Sequence, residues 1–137
     1  YGAASMAGGA IFQENDEIQV RARVSIDAYL HLFSIDKDGI VSRLYPNEYV
    51  QWEPVAKGQE FVFPDSRLRG LGLKLKVRSA KGLSRTPETL LIIATEEKHE
   101  LLSDRLDGQA TITDLITEVS AMNSRWLEKV IGYEVRK

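Results

Sequence analysis

The chain has 137 residues, 43% of them hydrophobic and 28% charged, which fits a single folded domain and excludes the disordered class. With 18 basic and 20 acidic residues the net charge is −2, which argues against dedicated nucleic-acid binding. The lack of cysteine removes disulfides, thiolate chemistry and cysteine-held zinc, and no apolar run approaches the roughly 18 residues of a membrane span, so no transmembrane segment is expected.

Tyr1 to Ala10 holds three glycines and four alanines without periodicity, and residues 1–14 read as a linker joining this piece to a larger protein. One domain is expected over residues 15–137. Ile18, Val20, Ala22, Val24 and Ile26 alternate with polar residues, the pattern of a strand with one face on a core and one in water. Ala28 to Ile35 is apolar on both faces and suits a central strand. Asp36, Asp38 and Gly39 supply turn chemistry, and Ile40 to Tyr45 returns as the hairpin partner, stopped by Pro46. An irregular loop follows, carrying Asn47, Tyr49 and Trp52.

Short strands are expected at Glu60–Phe63, around Leu73–Val77 and over Thr89–Thr95, the last a continuous apolar run. The stretch from Glu96 to Gly108 reads as a charged connection. From Ile112 the period changes: Ile112, Leu115, Ile116, Val119, Met122 and Trp126 make one apolar stripe at helical spacing. Thr111 and Asp114 form a capping-box pattern, so a helix is expected near 112–128. Ile131, Tyr133 and Val135 alternate as a final strand.

About seven short strands and one amphipathic helix predict a mainly-β fold, an antiparallel two-layer β-sandwich with the helix across one end or edge. A single α+β sheet covered by the helix is the competing architecture.

Several of these residues carry a resemblance. Asn15-Asp16-Glu17-Ile18, the strand Ala28 to Asp36, Asp38-Gly39 and the corner Leu44-Tyr45-Pro46-Asn47 resemble the bacterial family called domain of unknown function 4384. Gly58 before a strand, Phe63-Pro64-Asp65 and the strand Leu90 to Ala94 agree with it. The likeness is densest from Asp16 to Asp65. It implies an accessory module of a multidomain bacterial protein, often of the cell envelope, and it brings no catalytic residues. At Tyr29, Gly39, Pro46 and Asn47 it implies a shared structural corner.

Chemical motifs fail on spacing. Asp36, Asp38 and Gly39 resemble part of a calcium loop, but Tyr45 stands where the bidentate glutamate belongs, so a hairpin turn is the better reading. His99-Glu100 begins like a zincin motif, but Ser103 occupies the second histidine position. His31 reads as a packed, hydrogen-bonded strand residue. There is no Gly-x-Ser-x-Gly elbow, dinucleotide fingerprint or Walker sequence. No catalytic residue, cofactor or metal is assigned.

Arg67, Arg69, Lys74, Lys76, Arg78, Lys81 and Arg85 place seven positive charges in 19 residues without an intervening acid. Arg67, Arg69, Lys74, Lys76 and Arg78 are candidate anion-binding residues, weighed against a solvated strand face that discourages edge pairing. Tyr45, Tyr49 and Trp52 are candidate partner-binding residues, weighed against folding over the end of the core. The expected function is a non-catalytic module docking to a protein partner or a neighbouring domain. The alternatives are a binding module for an anionic ligand or membrane surface, and a hydrolase.

Overall fold

The structure is a computed structural model that describes residues 10–47, 50–76, 85–102 and 110–136. Among these residues the strands are β1 (Ala10–Gln13), β2 (Glu17–Ile18), β3 (Val20–Arg23), β4 (Tyr29–Ile35), β5 (Ile40–Tyr45), β6 (Glu60–Phe63), β7 (Leu75–Lys76), β8 (Arg85–Thr95), β9 (Ala110–Thr111) and β10 (Trp126–Arg136). The helices are α1 (Ser66–Gly70) and α2 (Ile112–Ser120). One six-stranded sheet runs β1-β10-β8-β4-β5-β9, and the pairs β2–β7 and β3–β6 form a second layer.

The fold is mainly β and sandwich-like. Its logic follows from β4 and β8, which are apolar on both faces and pair antiparallel, with Leu32 opposite Ile92 and Phe33 opposite Leu91. Such strands must be covered twice. On one face Leu30, Leu32, Leu90, Ile92 and Ile131 pack against Ile18, Val20, Phe61 and Phe63 of the second layer. On the other, Phe33, Ile35, Leu91 and Ile93 pack against Leu115 and Val119 of α2 and against Leu101 and Leu102. Full burial of each such side chain contributes about 1.5–3 kcal/mol.

Four expectations are corrected. Ala10–Gln13, read as linker, form β1, because the backbone of Ala10, Ile11, Phe12 and Gln13 finds a parallel partner in Tyr133–Arg136. The strand expected from Ile18 to Ile26 divides at Gln19: Ile18 pairs with β7 and Val20 with β6. The helix expected near 112–128 ends at Ser120, and Trp126 to Lys129 belong to β10 instead. The backbone leaves the helix at its C-cap Ala121, the polar residues Asn123-Ser124-Arg125 follow, and pairing with β8 then captures the residues from Trp126. Finally, α2 lies over a sheet face rather than across an end. The chain before it is anchored at the β5–β9 side by Ile40 opposite Thr111 and by Ile112 N–H donating to Gly39 O at 3.2 Å.

α1 was not expected. Asp65 caps it, its side chain accepting from Leu68 N–H at 2.9 Å, and Leu68 is buried. The Asp36 turn matches expectation: Asp36 Oδ1 accepts from Asp38 N–H at 2.9 Å and Ile40 N–H at 3.0 Å, while Gly39 adopts φ +81°. That φ is why glycine suits the position.

Candidate docking groove

α2 is held at its start by the capping box anticipated from sequence. Thr111 N–H donates to Asp114 Oδ2 at 2.9 Å, and Asp114 N–H donates to Thr111 Oγ1 at 3.3 Å. Nine residues at 1.5 Å rise give α2 a length of about 14 Å, whereas an eleven-residue strand spans about 37 Å. So short a helix, tethered at the β9 side, cannot cover β8 and β10.

What remains is an apolar groove of about 450 Å³. Its floor is Ile35, Leu91 and Ile93, with Leu115 and Val119 on the helix side and Trp126 and Val130 on the strand side. Ile116 and Val130 are each 57% exposed and Ile112 is 40% exposed, so the rim presents large aliphatic side chains to water. Glu128 is the charged lining residue. The volume lies within the usual range of ligand sites, about 300–1,000 Å³, but the shape is an open trough.

The aromatic candidates lie elsewhere. Tyr45 is buried and meets Phe61 and Phe63 edge-on, with ring centroids 4.9 and 5.5 Å away. Burial, then the nearby Asp65 and Glu53 carboxylates, push its phenol pKa up. Trp52 is half-buried, donates from Nε1 to Leu30 O at 3.1 Å, and packs on Tyr29 and His31. Both serve the core at this end. Tyr49 lies outside the described residues. Asn47 Nδ2 donates to Leu44 O at 3.2 Å, closing the corner that begins at Pro46, and the Tyr45–Pro46 peptide is cis.

The basic segment is divided. Arg67 and Arg69 stand on α1, Lys76 is in β7, and Arg78 and Lys81 lie outside the described residues. Lys74 Nζ is 3.5 Å from Glu17 Oε1, and Glu17 lies opposite Lys76 in register, so an acid from β2 sits among these cations.

The two histidines differ. His99 Nε2 is 3.2 Å from Glu118 Oε2 at the surface. His31 is fully buried, with Nε2 3.0 Å from Thr95 Oγ1. Because Thr95 Oγ1 donates to Glu97 O at 2.8 Å, the imidazole must donate from Nε2, which leaves the Nδ1 lone pair without a partner among the described residues. Burial, with smaller contributions from the charges of His99 and Arg43, lowers the His31 pKa to about 3. No cluster of three or more histidine, aspartate or glutamate side chains suited to a metal ion occurs among the described residues. None of their helices is long and apolar enough to cross a membrane.

The groove itself escaped the sequence reading. The sequence places Ile112, Ile116 and Trp126 on one apolar stripe and Val130 in no pattern; the missing signal is how much sheet a short helix leaves bare.

A family model described as a domain of unknown function, DUF4384, matches residues 11–98. The chain belongs to that family. The match takes in the groove floor from β4 and β8, while α2 and β10, which supply its walls, follow the matched segment. No curated protein and no solved structure matched the chain.

Proposed function

We propose that this DUF4384 domain is a non-catalytic interaction module that docks onto a protein partner or a neighbouring domain of a larger bacterial protein, in a setting such as the cell envelope. The observation that carries this is the groove between α2 and β10, whose exposed rim residues Ile112, Ile116 and Val130 adjoin a floor of buried aliphatic side chains. Contiguous exposed apolar surface of this kind marks interaction sites. Glu128 at the lining disfavours an anionic occupant. The carboxylate of Glu17 among the basic residues gives the anion-binding alternative less support. A hydrolase would need a base that titrates near neutrality, and His31, sealed against Thr95 and Trp52, is a poor candidate.

The test is selection of a displayed library of random short peptides against the chain, followed by binding of the enriched peptides to Ile116→Glu and Val130→Glu variants. The expected result is enrichment of apolar peptides whose binding is lost in both variants while their thermal unfolding stays as in the parent. Enrichment of nothing, or binding that ignores both substitutions, would refute the proposal.

A further inference from the structure

α1 ends in a tightly closed turn. Gly72, with φ +92°, donates its N–H to Arg69 O at 3.0 Å, and Leu73 N–H donates to Leu68 O at 3.0 Å. Those two bonds around a left-handed glycine make a Schellman cap, whose flanking apolar residues pack together. Leu68 is buried in the core beneath the second layer, and Leu73 packs against that core. Leu71, between them, is 68% exposed, more than any other large apolar side chain among the described residues.

The turn is closed by backbone bonds that need nothing from the Leu71 side chain, which stands out as a rigid apolar knob. Arg67, Arg69, Lys74 and Lys76 flank it in the chain and are all exposed. Their charges outnumber the carboxylates of Asp65, which caps α1, and of Glu17, which lies 3.5 Å from Lys74. The knob is therefore set in positive surface.

The groove beside α2 has the complementary character. Its floor and rim are aliphatic, Glu128 is the charged side chain among the described residues lining it, and its roughly 450 Å³ has room for a leucine side chain. Groove and knob lie on opposite faces of the main sheet. Leu68 and Leu73 belong to the core on the second-layer side, whereas Leu115 and Val119 belong to the core beneath α2. A knob thus cannot reach the groove of its own chain.

We infer that the groove's occupant is the α1 turn of a second copy of this chain, with Leu71 seated against Ile116 and Val130 and the flanking cations beside Glu128. This rests on the docking role proposed above and names the partner. Because the two surfaces differ and face opposite ways, the contact is head-to-tail: each copy offers a groove to one neighbour and a knob to another. Assembly continues into a row or a ring instead of stopping at a two-fold dimer.

Sedimentation velocity of the parent at rising concentration should show species larger than a dimer, diminished by added salt because exposed charges share in the attraction. Leu71→Glu and Ile116→Lys should each weaken association by about tenfold or more, the scale of losing one buried aliphatic side chain, with thermal unfolding as in the parent. Mixing the two separates a head-to-tail contact from a two-fold one. Leu71→Glu keeps an intact groove and Ile116→Lys an intact knob, so together they should form a one-to-one pair that grows no further. A parent that stays monomeric would overturn the inference. The peptide selection then judges the docking reading separately: peptides that bind and are lost on Ile116→Glu leave it standing, and no enrichment removes it. A dimer indifferent to Leu71→Glu, or variants that fail to complement each other, would also overturn the inference. So would a monomer that binds phosphatidylglycerol vesicles through Leu71, which would assign the knob to a lipid surface.

Discussion

Lowering the pH from 7.5 to 5 should destabilise the fold through His31. In the folded chain its imidazole is sealed between the strands and Trp52, donates to Thr95, and keeps a pKa of about 3 against 6.5 for the free side chain. The folded state resists the proton and the unfolded chain accepts it, so the contribution of neutral His31 is intact above pH 6.5 and is lost as pH falls from there toward 3. Each pH unit inside that window costs about 1.4 kcal/mol, so about 2 kcal/mol is gone by pH 5. That is a sizeable share of the roughly 5–15 kcal/mol by which such domains are stable. Urea unfolding at pH 7.5, 6.5, 5.5 and 5.0 measures it, with the imidazole resonances followed in parallel by NMR. A His31→Leu variant should be spared this loss of stability on acidification, so the parent and the variant diverge by about 2 kcal/mol between pH 7.5 and 5. A difference in stability between the parent and His31→Leu that does not change with pH over this range, or a His31 resonance titrating near 6.5, would refute the reasoning.

The other predictions concern separate parts of the molecule. Glu88 lies opposite Tyr133, and burial, with the Asp36 charge adding to it, raises its pKa to about 6. Its raised pKa means stability present below about pH 4.5 and lost as pH rises through 6, opposite in sign to His31, so Glu88→Gln should stabilise the domain at pH 7.5 by about 1 kcal/mol after discounting for solvent screening; calorimetry at pH 7.5 and 4.5 checks it. Phe33→Ala, emptying a fully buried site beneath α2, should cost about 3–5 kcal/mol in urea unfolding. Thr111→Ala removes the cap of α2 and should cost about 1 kcal/mol by the same measurement. Ile116→Ser, at the exposed rim, should change stability by no more than about 0.5 kcal/mol while weakening peptide binding severalfold.

The strand nuclei were legible because alternation and apolar runs are local. Leu30 to Ile35 and Leu90 to Ala94 had to be central strands, Asp36 and Gly39 had to turn, and Thr111 with Asp114 had to start a helix. The C-terminal end of that helix was not legible. Met122 and Trp126 continue a helical stripe in sequence, and only pairing of Trp126 with Thr95 across the sheet overrides it. The same is true of β1, whose residues become a strand through Tyr133–Arg136, far along the chain. Among the candidate site residues, the type of Tyr45 and Trp52 was readable but their surroundings were not. Both are amphipathic enough for an interface or a core, and here Phe61, Phe63 and the Leu30 carbonyl decide for the core. The groove depends on a mismatch of lengths between α2 and the sheet, which no local pattern records.

NMR of the chain titrated with an enriched peptide tests the groove most directly. The account predicts that the methyl resonances of Ile112, Ile116 and Val130 shift while those of Val20 and Leu30, in the core on the other face of the sheet, stay in place. Shifts that spare all three rim residues would contradict it.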